Sequence, residues 1–411
     1  MKRVILIFTC LFSAVLSQAR IITVDDDDPA DFNNIQAAID DANDGDIILV
    51  ADGNYTGDGN RDINFWGKAI TLRSENGPEK CIIDCQGSEA QPHQGFLFLH
   101  NGEDSNSVLD GFTIRNGYHP VSGGGIVCSS VSPTIRNCII TNNRAGDDGG
   151  GIMCHVASPT ILNCIITKNI AEVWEGGGIR CRGCTGAILD NCLITENSAR
   201  FGGGIGSSGD NFTGFGDIIV TNCTFSANSA KYGGAIHVRD GSKPSMLNCI
   251  LWGDTAMYGP EIALGGSFPV PFLYVSFSDV QGGEANVCCY GDLYWGLGNI
   301  EADPCFADPC DGDFHLKSQA GRWDATEGRW MKDEVTSPCI DAGDPSSPIG
   351  YEPFPNGGII NMGAYGGTVE ASKSYFGEPL CEIIVAGDIN GDCKVDFKDF
   401  AFIAFHWLEE K

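Results

Sequence analysis

A four-residue block, Gly-Gly-Gly-Ile, returns through the middle of the chain at 123–126, 149–152, 176–179 and 202–205, then as Gly-Gly-Ala-Ile at 233–236 and Gly-Pro-Glu-Ile at 259–262. Its isoleucines are separated by 26, 27, 26, 31 and 26 residues. An Asn-Cys pair keeps phase with them at 137/138, 163/164, 191/192, 222/223 and 248/249, followed by Ile140, Ile166, Ile194, Phe225 and Leu251. Three residues further on stands Asn143, Asn169, Asn197 or Asn228, with Asp254 in the last copy. The short Ile-, Thr- and Cys-rich runs between Gly and Asn alternate with period two, which predicts strands of four or five residues between tight turns, and no helical period competes. A repeat of about 26 residues holding three such strands is one coil of an all-β parallel solenoid, its coils stacked at roughly 4.8 Å. Asn at one fixed turn position suits an inward ladder bonded from coil to coil, and the Gly pairs suit positive φ.

A solenoid's ends expose strand edges that need cover. Before the repeats, Asp31 leads into Phe-Asn-Asn-Ile-Gln-Ala-Ala-Ile-Asp-Asp, with Phe32, Ile35, Ala38, Ile39 and Ala42 on one helical face, an expected N-terminal helical cap. Earlier still, Lys2 and Arg3, the apolar run Val4 to Leu16 and Ser17-Gln18-Ala19 predict a secretory signal over 1–19, too short to span a bilayer. No later segment approaches transmembrane length, so an exported chain, secreted or at the cell surface, is expected. The hydrophobic fraction of 42% and 22 Phe exclude intrinsic disorder, because they suffice for a core. A formal charge of -29 argues against nucleic acid as a partner. After residue 283 the period fades into aromatic, Pro- and Asp-rich sequence with Cys288, Cys289, Cys305, Cys310 and Cys339. The expected organisation is therefore a signal at 1–19, a β-helix at 20–283, irregular final coils with a C-terminal cap at 284–380, and a small module at 381–411.

The Gly-Gly-Ala-Ile block together with Phe225 to Asn228 resembles the repeats of polymorphic outer-membrane adhesins, and the coils over about 20–283 resemble right-handed parallel β-helix proteins of the pectin-lyase-like fold. Segments such as Asn-Met-Gly-Ala-Tyr-Gly-Gly at 361–367 resemble the C-terminal extension of exported bacterial β-helix proteins. These resemblances imply an exported carbohydrate-interacting protein, in its catalytic form a polysaccharide lyase or glycoside hydrolase acting on an anionic polysaccharide. The alternative is a non-catalytic cell-surface or adhesin-like solenoid. No three-carboxylate cluster or other complete signature of those enzymes is present, and no catalytic residue is assigned.

At the C-terminus, Asp388, Asn390, Asp392, Lys394, Asp396 and Asp399 occupy positions 1, 3, 5, 7, 9 and 12 of a calcium loop, Lys394 through its backbone carbonyl. Phe400, Ile403, Ala404 and Trp407 follow on one helical face. The stretch resembles half of a dockerin, which implies calcium as cofactor and a cohesin-like or surface partner through 381–411. It departs from that pattern in having a single repeat and Cys393 where Gly is usual. Cys381 and Cys393 flank the first half of the loop and form a candidate disulfide. The inward Cys columns of the repeats read instead as small buried hydrophobes that stay reduced, and Cys181-Arg-Gly-Cys184 lacks the partners of a zinc site.

Because the block isoleucines point inward, parity sends Val127, Met153, Arg180, Gly206, His237 and Ala263 outward, and two residues on Ser129, His155, Arg182, Ser208, Arg239 and Gly265. His155, Arg180, Arg182, His237 and Arg239 are thus predicted to share one exposed basic face, with Trp174 and Tyr232 in the turns leading onto it and Asp210 to Asp217 as a wall. That is the candidate binding face for an acidic polysaccharide; the competing expectation is ordinary pairing with turn carboxylates. A second outward column, Ile139, Ile165, Leu193, Thr224 and Ile250, forms an apolar stripe expected to be covered by 284–380 or by a partner.

Overall fold

The structure, a computed structural model, describes residues 19–99, 102–210, 216–266 and 269–377 together with Val395, Phe397 and Phe400. The signal region up to residue 18, the loop ligands Asp388, Asn390, Asp392, Lys394, Asp396 and Asp399, and the Cys381 and Cys393 pair lie outside the described residues.

The chain winds into a parallel β-solenoid with three long sheets. Sheet A has eleven strands, from Ile21–Val24 to Asp292–Trp295; sheet B has nine, from Gly53–Tyr55 to Asp279–Val280; sheet C has nine, from Ile63–Asn64 to Cys288–Cys289. One coil runs Thr134–Arg136 in A, Ile139–Thr141 in B, the two-residue bridge Arg144–Ala145, and Ile152–His155 in C. The register follows the repeat: Ile126, Ile152, Ile179, Ile205, Ile236 and Ile262 pair in sequence and none is exposed to solvent.

Two features of the repeat explain why the coils hold this geometry. Asn143, Asn169, Asn197 and Asn228 point inward; Asn143 Oδ1 accepts from Gly117 N at 2.8 Å, and Asn169, Asn197 and Asn228 each accept from the backbone N–H and the side-chain Nδ2 of the preceding Asn at 3.0–3.1 Å. Asp254 ends the ladder, where an acceptor alone is needed, and receives both donors of Asn228. The second Asn column, 137, 163, 191, 222 and 248, turns the A-to-B corner with φ between 48° and 55°, a left-handed conformation that Asn tolerates better than most residues. Cys128, Cys154 and Cys181 stack in one inward file and Cys138, Cys164, Cys192, Cys223 and Cys249 in another, all free and buried. Burial pushes the thiols of Cys85 and Cys249 upward, the latter to about 12, which disfavours the thiolate that disulfide exchange requires.

A seven-residue helix, Ile35–Asp41, follows the first strand, capped by the Asn34 side chain accepting from Ala37 N at 2.9 Å. Ile35, Ala38 and Ile39 enter the core, and the Gln36 amide both donates to Asn64 O and accepts from Asn64 N on the first strand of sheet C. Beyond the last coil, residues 306–364 lie along sheet B. Phe306, Phe314, Leu316, Cys339, Met362 and Ala364 form a second apolar cluster with Leu193 and Ile250 of the stripe. Among the described residues no helix is long and apolar enough to cross a membrane.

Candidate functional site

Parity places the candidate residues as the repeat predicts, but it does not leave them all exposed. Arg180 pairs in register with Met153 and Gly206, and Gly206 with His237; Arg182 pairs with His155 and Ser208, and Ser208 with Arg239. Yet Arg180 is only 1% exposed and His237 4%. The correction has a backbone cause. Each repeat carries a Gly with φ between 60° and 70° at 123, 149, 176, 202, 233 and 259, and before the turn at Gly176 the preceding Glu175 lies over the outward column, against Arg180 and Gly206. A Cβ on Gly206 would stand 2.8 Å from the Cβ of Glu175, so the missing side chain at 206 is what lets Glu175 settle there.

Glu175, itself wholly buried, is the hub. Its carboxylate meets Arg180 Nη2 at 2.9 Å, Arg239 Nε in a short hydrogen bond, and His237 Nδ1 at 3.9 Å. Arg180 also donates to Cys181 O at 2.8 Å, Gly206 O at 3.2 Å and Ser208 Oγ at 2.7 Å, and its Nε lies 3.7 Å from Asp148. Arg239 Nη1 donates to Asp240 at 2.6 Å. Desolvation, with Arg239 and Arg180 beside it, pushes the His237 imidazole down to about 3, so it is neutral at ordinary pH. One to two coils away, Asp210 is shared by Arg182 Nε at 3.4 Å and His155 Nε2 at 3.7 Å.

The expected concentration of positive charge is therefore absent. Asp148, Glu175, Asp210 and Asp240 stand against Arg180, Arg182 and Arg239, four carboxylates to three guanidiniums. The basic side chains of this face that reach solvent are His155 and Arg182, about 40% exposed, and Arg239 at 31%. Tyr232 is also placed differently from expectation: its ring is stacked between Phe201 and Tyr258, with centroids 5.1 and 4.8 Å away, which takes both faces and leaves an edge. Trp174 begins this file, 6.1 Å from Phe201, and remains 44% exposed. Glu175 and Asp148 were legible only as acidic turn residues, because nothing in a linear pattern shows that a turn will fold onto its own strand. Among the described residues no three His, Cys, Asp or Glu side chains converge to hold a metal ion.

Comparison with known proteins agrees with this architecture. Residues 151–258 match the family described as right handed beta helix region, 137–155 match the Chlamydia polymorphic membrane protein repeat, and 286–343 match the family described as disaggregatase related. The crystal structure of pectate lyase Pel9A superposes with a TM-score of 0.50 at 16% identity, covering 85% of this chain and 96% of that one. An alginate lyase from Paenibacillus sp. str. FPU-7 (TM-score 0.34, 15% identity, 68% of this chain and 99% of that) and pectin methylesterase from carrot (0.33, 13%, 68% and 88%) are more distant. No curated protein matches. The chain is thus a right-handed parallel β-helix of the pectate-lyase-like fold, a statement about architecture.

Proposed function

We propose that the protein is an exported, carbohydrate-binding β-helix whose ligand, an acidic polysaccharide, runs along sheet C and meets His155, Arg182 and Arg239, with Trp174 at one side. The observation that carries this reading is the row of partly exposed basic side chains, His155 and Arg182 on adjacent coils and Arg239 two coils beyond Arg182, with Ser208 between. A rung spacing of roughly 4.8 Å is close to the length of one sugar residue, so one extended chain can meet several rungs. Arg forks suit carboxylates, and the buried Glu175, Arg180 and His237 network supports the exposed groups from beneath. Similarity of fold to a pectate lyase adds analogy.

A non-catalytic role is the second reading. It is favoured by the burial of Arg180 and His237, the groups best suited to move a proton had they been exposed, and by the repeat match at 137–155. The test is a glycan array joined to a polyuronate degradation screen in calcium. Binding to acidic glycans is expected to fall about tenfold in Arg182→Ala with Arg239→Ala, the loss of one or two charge-assisted hydrogen bonds, and to weaken with salt. Unchanged affinity in a variant of unchanged melting temperature removes this face; binding without degradation selects the non-catalytic reading.

We further propose that the loop from Asp388 to Asp399 takes one calcium ion, supported by alternating oxygen ligands at the spacing a hard cation requires, and that 381–411 is the attachment module, to a cohesin-like or surface partner. Calorimetry on the full chain is expected to show one calcium equivalent, absent in Asp388→Ala. A Cys381 and Cys393 disulfide belongs to the same proposal and is read by peptide mapping without reduction.

A further inference from the structure

The apolar column of sheet B changes abruptly along its length. Ile250, Thr224 and Leu193 are 0%, 1% and 5% exposed beneath residues 306–364, whereas Ile165, the next rung in register, is 36% exposed. The Asn column beside it follows suit: Asn248 and Asn222 are buried, Asn191 half-buried, Asn163 and Asn137 exposed.

The covered rungs show how this surface holds a polypeptide. Asn191 Nδ2 donates to the carbonyls of Ala364 at 2.9 Å and Gly366 at 2.7 Å. Thr224 Oγ1 accepts from Ala364 N at 2.9 Å, and Asn248 O accepts from Gly363 N at 2.8 Å. Met362 and Ala364 pack against Leu193 and Ile250. One coil earlier the same surface is built again. Asn163 has φ 50° where Asn191 has 51°, and Ile165 stands where Leu193 does. The Asn163 side-chain amide has no hydrogen bond among the described residues. With Asn137, Ile139, Ile165, Pro78 and Lys80 it faces a groove of about 290 Å³.

We propose that this groove is a docking site for a partner protein, which inserts an extended, uncharged segment presenting two carbonyls around one residue, as Ala364, Tyr365 and Gly366 do one coil away. Continuity with the covered interface identifies the occupant. One Asn amide donates to alternate carbonyls and a branched aliphatic side chain supplies an apolar seat beside it, the pairing that already holds residues 364–366 one coil away. The site is on sheet B, separate from the sheet C face, and does not depend on the carbohydrate reading.

The test uses the full chain and a fluorescent synthetic peptide of residues 358–368, with a scrambled peptide as control. Saturable binding is expected, weakened about tenfold or more by Ile165→Lys, the loss of one buried aliphatic contact, and weakened also by Asn163→Gly, which keeps the left-handed turn and removes the donors. Arg182→Ala is expected to leave it unchanged. No specific binding, or equal affinity in Ile165→Lys, overturns the proposal. So does a dimer of the free protein in sedimentation that Ile165→Lys abolishes, which makes a second copy the occupant. A photo-cross-link from position 165 into residues 378–411 of the same molecule makes the chain's own tail the occupant and overturns it equally.

Discussion

Asn169 shows how much one repeated residue carries. Its Nδ2 donates to Ile140 O at 2.8 Å and to Asn197 Oδ1, and its Oδ1 accepts both the backbone and the side-chain amide of Asn143. Replacement by Leu removes all four contacts and strands the donors of Asn143, which are themselves buried. At roughly 1–3 kcal/mol for each unsatisfied buried group, a loss of about 3 kcal/mol or more is expected. Urea unfolding followed by two probes is the measurement, because a repeat array need not unfold in one step. This ladder was readable in the sequence, since a rigid coil fixes the spacing of its inward residues. The neighbouring B-to-bridge corner was not. It adopts φ of 54–58° at Asn142, Lys168, Glu196 and Ala227, four residue types with no shared signature, because tertiary packing rather than propensity imposes the turn.

Among elements, the segment beyond the last coil has no period of its own, yet its position was foreshadowed by the apolar column it covers. Leu193, Thr224 and Ile250 needed a partner, and 306–364 supplies one. What could not be foreseen was where the cover stops, since Ile139, Ile165 and Leu193 look alike in sequence. The difference lies in the tertiary reach of the 363–366 turn. The hydrogen bonds of Asn191 to that turn are therefore expected to matter more than an exposed surface contact would. Asn191→Gly keeps the corner and removes both donors. Limited proteolysis of this variant is expected to cut within 345–370 while the coils stay protected, and a hydrophobic dye is expected to bind more strongly as Leu193 and Ile250 are bared. Cleavage unchanged from the parent chain would mean that apolar packing alone holds the segment. The same contrast governs the sheet C face, where parity was readable and burial was not: strand alternation is local, whereas the Glu175 turn covering Arg180 depends on Gly206 in the following coil.

For the whole molecule, the acidic composition and the buried carboxyls act on stability in the same direction. Desolvation raises Asp279 to about 6 and Glu352 to about 7, and it raises the facing carboxyls Asp254 and Glu261 as a pair. A carboxyl raised in the folded state binds its proton more tightly there than in the unfolded chain. Its contribution is complete below the unfolded value near 4 and is lost as pH climbs through the folded value. His237 opposes this. Held down to about 3, it contributes fully above 6.5 and progressively less as pH falls toward 3. Asp46, lowered to about 2 by backbone and Arg20 hydrogen bonds that outweigh its desolvation, adds stability that disappears only below about pH 4. Several raised carboxyls outnumber the two depressed imidazoles, His237 and the half-buried His119, between pH 4.5 and 7, and a formal charge of -29 adds self-repulsion that protonation relieves. The melting temperature is therefore expected to peak near pH 4.5 and to decline toward pH 8 rather than to plateau at neutrality. Glu352 offers the control, because its carboxylate accepts from Asn361 N and Gly367 N at 2.8 and 2.9 Å, bonds that a glutamine oxygen preserves. Glu352→Gln is expected to flatten the decline between about pH 4.5 and 7 while leaving the slope above pH 8 unchanged. A melting profile that rises from pH 4.5 to pH 6.5 would instead show that the depressed imidazoles, His237 among them, dominate the buried carboxyls.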